Sequence, residues 1–326
     1  MQIKKQEQIQ TPYGVFCGIG GGETDEKGRI ANLRLNERNV VLTHVGELIP
    51  YYQEETPRRR QKPSISFYPS GTVKTVYLEK QQEIQTPIGE FPAECVTFYE
   101  TGELKRFFPQ YGQISGFWSE DAERELSIPF HFQLDFAEFT AKLSGVSLFK
   151  NGGIRSVTLF PGETISVRTP RFGEVAVRIG FSLYETGELL SFEPAVPVSV
   201  DTPLGPVAAY DAAAVGIHAD SNSVVLDRAG GIRAVTTSSD RLFAVAADKK
   251  ARFFAPLERP SPLDEKATTL IPMRLEFNPT GSTVSIKIGD NTELLPLEGT
   301  RFQVISGSSP SGCSPERCAG CSLCAN

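Results

Sequence analysis

Glycine-centred turns recur through this chain so closely that little besides short antiparallel strands fits between them. Phe98-Tyr99-Glu100-Thr101-Gly102-Glu103-Leu104 and Leu183-Tyr184-Glu185-Thr186-Gly187-Glu188-Leu189 differ only at their first residue. Phe67-Tyr68-Pro69-Ser70-Gly71-Thr72-Val73 and Leu148-Phe149-Lys150-Asn151-Gly152-Gly153-Ile154 share the layout. Weaker versions centre on Gly230 and Gly281, and Leu35-Asn36-Glu37-Arg38-Asn39 is a candidate with Asn in the glycine place. A second element, Thr-Pro-x-Gly, stands at Thr11-Pro12-Tyr13-Gly14, Thr86-Pro87-Ile88-Gly89 and Thr202-Pro203-Leu204-Gly205. Thr169-Pro170-Arg171-Phe172-Gly173 is one residue longer. Gly71, Gly152 and Gly230 fall roughly eighty residues apart, as do Gly102 and Gly187, which points to duplication of a double-hairpin unit.

Each unit reads as a β-hairpin. Alternating apolar residues lead in, as in Ser64-Ile65-Ser66-Phe67, and lead out, as in Val73-Lys74-Thr75-Val76-Tyr77-Leu78. Two polar or Pro positions followed by Gly suit a type I turn closed by a left-handed residue, which Gly adopts without a Cβ clash. In Thr-Pro-x-Gly, Pro fixes φ and Gly takes the positive-φ corner. Sequential hairpins of this kind give an all-β antiparallel array, an elongated meander or a β-solenoid. Helix signals are confined to Ser119-Glu120-Asp121-Ala122-Glu123-Arg124-Glu125-Leu126, capped by Ser119 and stopped before Pro129, and to a short turn near Ser261–Thr269. The array occupies residues 1–306, with units near Gly71, Gly102, Gly152, Gly187, Gly230 and Gly281. From Gly307 a Gly/Ser-rich tether leads into a cysteine-rich tail at 307–326.

The Phe-Tyr-x-x-Gly-x-Leu units resemble MORN-type repeats, and more closely their bacterial MORN-like variants, over roughly residues 60 to 290. The resemblance implies a hairpin array that works by binding. The chain departs from the standard pattern in lacking its further Gly, and its single Trp, Trp118, lies outside the turn units.

The tail carries the one sharp chemical signal. Cys313, Cys318, Cys321 and Cys324 follow a C-x4-C-x2-C-x2-C spacing, and the rest of the chain holds only Cys17 and Cys95. Thiolates suit soft or borderline metals. The run Cys318-x2-Cys321-x2-Cys324 resembles the ligand spacing of a 4Fe–4S cluster, although the fourth Cys precedes the run instead of following it with Pro. Zn2+ is the alternative, although structural zinc sites usually join two separated knuckles. Reduced, unmetallated thiols are the third reading.

Other signals are weaker. Phe107, Phe108, Tyr111, Phe117 and Trp118 form an aromatic stretch that is core by default and a protein-binding surface if exposed together. Cys17 and Cys95 read as buried packing residues. His44, His131 and His218 are too far apart for a ligand pair, and His131 reads as a strand residue. Gly18-Ile19-Gly20-Gly21-Gly22 lacks the Lys-Ser/Thr of a phosphate loop and reads as an ordinary loop. Arg58-Arg59-Arg60-Gln61-Lys62 reads as a solvated loop or an anion contact.

A net charge of −6 gives no reason to expect nucleic acid. No stretch approaches the roughly eighteen apolar residues of a membrane span, and the N-terminus lacks a secretory signal. Cys324 is misplaced for prenylation. These features predict a cytoplasmic protein with reduced thiols. Function then divides three ways: a binding or scaffold protein with a metal-bearing tail, an electron-transfer accessory for a partner enzyme, or an antitoxin-like binder. No independent catalytic constellation is visible.

Overall fold

A computed structural model describes residues 1–59, 63–216, 221–247, 250–260 and 268–307. The chain is an all-β antiparallel meander. Its described residues form two compact units, the first comprising Met1–Ala195 with Val215–Asn222 and Leu226–Gly230, the second Val196–Ala214, Ser223–Val225 and the described residues from Gly231 onward.

In the first unit, antiparallel pairing runs from strand to strand with little interruption. Gly14–Thr24 pairs with Ile30–Leu35, which pairs with Ile65–Phe67, Val73–Thr86, Gly89–Phe98 and Leu104–Phe108 in turn. Ala137–Leu148, Ile154–Leu159, Gly173–Leu183 and Leu189–Pro194 continue the series. Because side chains alternate across a strand, fixing register fixes whole rows. One row reads Leu33, Ile65, Val76, Val96, Phe107, Val146, Val157, Phe181 and Phe192, each directly paired with the next. Every member is 0% exposed. At about 1.5–3 kcal/mol for each large apolar side chain removed from water, this row makes a large contribution to the stability of the unit. Outer halves of the long hairpins cover it: Phe91 rests 5.0 Å from Phe107, and Phe136 meets Phe181 edge-on at 5.4 Å.

One residue along each strand lies a second row, on the opposite face: Glu23, Asn32, Ser66, Thr75, Thr97, Arg106, Ser147, Ser156, Ser182 and Ser191. Cross-strand hydrogen bonds tie it, including Asn32 Nδ2 to Glu23 Oε2 at 2.8 Å, Arg106 Nε to Ser147 Oγ, and the Ser182 and Ser191 hydroxyls at 2.5 Å.

The expected turns form as hairpin corners. At Tyr68, Tyr99, Phe149 and Tyr184 the turn residue accepts from the Gly N–H three residues on and donates to the carbonyl four residues on. An unforeseen sibling is Asp25-Glu26-Lys27-Gly28-Arg29, with the same two bonds. Leu35–Asn39 does something else: the Asn39 side chain accepts from Cys17 N and donates to Cys17 O and Glu37 O. Turn tyrosines also fasten one unit to the next, since the hydroxyls of Tyr68, Tyr99 and Tyr184 donate to Phe98 O, Leu148 O and Leu226 O at 2.8, 2.8 and 2.9 Å.

Thr-Pro-x-Gly is a hairpin corner with its own staple. Thr11, Thr86 and Thr202 each donate Oγ to the Gly carbonyl and accept from the N–H two residues on. Thr43-His44-Val45-Gly46 shares the hydroxyl-to-carbonyl bond without a proline to announce it. The two motifs interlock. A Cβ added to Gly71, Gly152 or Gly230 would meet Pro12, Pro87 or Pro170 at 3.0, 2.7 and 2.9 Å, whereas Gly102 and Gly187 have nothing within 4 Å. Alternate turns are therefore locked by a proline from an earlier hairpin.

One expectation needs correction. Gly18–Gly22 is not a loop but part of the strand Gly14–Thr24, paired with Leu33, Arg34 and Leu35. Its glycines make room for close neighbours, because a Cβ on Gly22 would lie 2.3 Å from Asn32 O. The short turn near 261–269 falls mainly outside the described residues, which resume in the strand Thr268–Ile271. The predicted helix forms over Glu120–Leu126, with Ser119 Oγ accepting from Ala122 N. It is far too short to cross a membrane, and no other helix occurs among the described residues.

The second unit carries a four-stranded antiparallel run, Ile232–Thr237, Met273–Phe277, Thr283–Ile288 and Asn291–Pro296, with Val235, Leu275 and Ile286 paired and buried. Arg241–Val245 lies between Ala251–Phe254 and Arg301–Ile305 in a separate sheet.

The proline lock makes a quantitative prediction. Gly102→Ala should cost about 1–2 kcal/mol from the left-handed backbone alone. Gly71→Ala should cost more, because its Cβ meets the Pro12 ring carbons, and adding Pro12→Ala, which removes those carbons, should recover only that excess. Urea unfolding of the single and double variants reads the difference.

Candidate binding surface

The hairpin corners place charge as well as shape. After each corner closed by Gly28, Gly71, Gly102, Gly152 or Gly187 the outgoing strand carries one extra residue, a bulge that sets it beside the hydroxyl row. Register shows the extra residues to be Ala31, Lys74, Lys105, Arg155 and Leu190. Bulges re-aim side chains in this way at sheet margins. The middle three are cations, and all three are exposed.

They line a groove of about 340 Å3 with Tyr68, Tyr99, Thr75, Thr97, Ser147 and Arg106. The lining holds four cations and no carboxylate. Lys74 Nζ stands 5.6 Å from the Tyr68 ring centre and Lys105 Nζ 5.6 Å from that of Tyr99, so the rings carry the ammonium groups where a carboxylate would otherwise be expected. Arg106 lies over Phe108 at 6.0 Å. Two other clefts lack this imbalance. One, of about 580 Å3, pairs Arg168 and Arg228 with Asp135, Glu188 and Asp227. In the second unit, Glu276 bonds both Arg274 at 2.9 Å and Lys287 at 2.6 Å beside a cleft of about 430 Å3.

Beyond the groove an ion-pair node fixes the segment that leads from Phe108 to the helix. Arg58 grips Glu94 through Nη1 and Nη2 at 2.9 and 2.7 Å, and Glu123 through Nε and Nη2 at 2.8 Å each. Glu94 also takes Arg59 at 3.1 Å and the Tyr111 N–H at 2.8 Å. Glu123 takes the Gly112 N–H and the Trp118 indole N–H at 2.8 and 2.7 Å. Burial alone would lower the Arg58 pKa and raise that of Glu123. The shared hydrogen bonds win in both cases, holding the arginine above and the glutamate below its ordinary value. The basic run was expected to be a solvated loop or an external anion contact. Instead Arg58 and Arg59 are spent on internal carboxylates, while Arg60, Gln61 and Lys62 lie outside the described residues.

The pinned segment walls a second cleft, of about 220 Å3, with Gly145 and Thr158 among its lining. Gln110, 9% exposed, borders it, and its Oε1 has no hydrogen-bond partner. Two carboxylates line it, Glu123, which is engaged by Arg58, and Glu120.

The aromatic stretch is divided by the fold. Phe107 is no part of a surface, because strand alternation points it into the buried row. Phe108 and Tyr111 are half-buried and pack edge-on at 5.1 Å. Trp118 is tied to Glu123, and Phe117 is 75% exposed. Cys95 is buried in register with Tyr77 and Phe108, as packing predicts, whereas Cys17 is half-buried. His44 sits edge-on to Phe98, and His131 occupies a strand as expected, with Nδ1 3.2 Å from Thr140 Oγ1. His218 and Cys313, Cys318, Cys321 and Cys324 lie outside the described residues. Comparison with protein families, curated proteins and solved structures finds no match for this chain.

The node makes two predictions. Arg58→Met should destabilise the first unit by about 3–5 kcal/mol, because it leaves buried Glu123 without a cationic partner and Glu94 with Arg59 alone. Glu123 has a depressed folded pKa, so its contribution is complete above the reference value of 4.5 and is lost as pH falls through the folded value. The stability gap between wild type and Glu123→Gln should therefore shrink between pH 6 and pH 3, as read from urea midpoints.

Proposed function

We propose that this chain is a cytoplasmic β-repeat binding protein whose cationic sheet face docks an acidic protein partner. The observation that carries this reading is the groove of Lys74, Lys105, Arg106 and Arg155, which contains no carboxylate in a chain of net charge −6. Cations seated on tyrosine rings remain available to an incoming anion, and complementary charge favours fast and selective association. Polyglutamate binding, followed by fluorescence anisotropy, tests the reading. Binding should weaken steeply with salt, disappear in Lys74→Glu/Lys105→Glu, and survive Lys4→Glu/Lys5→Glu. Absence of binding at low salt would refute it.

The same proposal assigns the tail a metal. Cys313, Cys318, Cys321 and Cys324 would supply four thiolates, a donor set that suits a 4Fe–4S cluster or Zn2+. The C-x2-C-x2-C run favours the cluster and with it the second reading, an accessory that delivers electrons to the docked partner. Metal analysis with a visible spectrum on protein purified without oxygen separates the cases. About four irons with a brown absorption bleached by dithionite supports the cluster, and about one zinc in a colourless sample supports a structural staple. Cys318→Ser should lower metal content without changing polyglutamate binding.

A further inference from the structure

We infer that the groove reads an extended acidic segment with one carboxylate at every third position, over a footprint of seven residues. The inference rests on the acidic-partner reading and deepens it. Lys74, Lys105 and Arg155 occupy the same bulge position in successive hairpins, and successive hairpins place them two strands apart. Strands lie about 4.8 Å apart, so these cations recur at about 10 Å across the sheet. A peptide in the polyproline II conformation advances about 3.1 Å per residue with three residues per turn, so every third side chain returns to the same face after about that interval. A peptide laid across the strands therefore meets the row with acidic side chains at i, i+3 and i+6.

The row has defined ends. The corresponding bulge residue is Ala31 in the hairpin before Lys74 and Leu190 in the hairpin after Arg155. A fourth or fifth carboxylate in register would meet no bulge cation, which sets the footprint. Between the cations, the hydroxyls of Thr75 and Thr97 line the groove and can donate to the peptide backbone or to a second carboxylate oxygen.

Single-stranded nucleic acid is the rival polyanion, and the rings argue against it. Base stacking needs an open aromatic face. Tyr68 carries Lys74, and Tyr99 carries both Lys105 and Lys150, the latter at 5.5 Å. The tyrosine hydroxyls are also committed to Phe98 O and Leu148 O, which holds the rings in place.

The test uses the full chain and fluorescent Gly/Ser peptides that carry three glutamates, either at i, i+3 and i+6 or consecutively. Spaced glutamates should bind about tenfold more tightly, because the consecutive set reaches Lys105 with its neighbour Arg106 but not Lys74 and Arg155 as well. Lys105→Gln should erase the preference, and Lys4→Gln should leave it intact, with circular dichroism confirming that both variants fold. Equal affinity for the two peptides, while polyglutamate still binds, would overturn the spacing rule and leave the acidic-partner reading standing. Tighter binding of oligothymidylate of matched charge would overturn the inference in favour of nucleic acid.

Discussion

Cross-strand register in the first unit governs everything built upon it. Leu33, Ile65, Val76, Val96, Phe107, Val146, Val157, Phe181 and Phe192 can lie in one buried line only if every hairpin between them keeps its alignment. A slip of one residue in any hairpin would turn that strand's members out to the polar face and bring Ser or Thr into the core. The hydrophobic row thus specifies the hydroxyl row on the reverse face, and the two cannot be altered independently.

The corners enforce this alignment locally. A Gly in left-handed conformation closes each aromatic turn, and the residue following the first apolar position is squeezed out as a bulge. That bulge sets Lys74, Lys105 and Arg155 beside Thr75, Arg106 and Ser156 of the hydroxyl row. Pro12, Pro87 and Pro170, pressed on alternate corner glycines, tie hairpins that are distant in sequence. Tyrosine hydroxyls fasten neighbouring corners. Structure and binding surface therefore share a source: the device that ends each hairpin also presents its charge.

Much of this was legible in the sequence. Corner glycines, Thr-Pro-x-Gly turns, the capped helix and the all-β antiparallel class follow from local backbone preferences, which short motifs record faithfully. Gly18–Gly22 was misread as a loop because glycine usually signals a turn, and the close approach of Asn32 and Glu37 that requires it is a long-range fact. Arg58 was misread for the same reason, since Glu94 and Glu123 are remote in sequence and meet it only after folding. Phe107 and Phe108 look equivalent as letters, and only register separates the buried ring from the half-exposed one. The cationic row did leave a trace, a Lys or Arg three residues after the corner glycines at Gly71, Gly102 and Gly152. That trace acquires meaning once the bulge reveals which face it serves.

Lysine acetylation footprinting with mass spectrometry, in the presence and absence of polyglutamate, addresses the central claim most directly, because it reads the side chains that register is said to align. The account predicts that polyglutamate shields Lys74 and Lys105 and leaves Lys4, Lys5 and the corner residue Lys27 as reactive as before. Uniform shielding of all five, or shielding that spares Lys74 and Lys105, would contradict it.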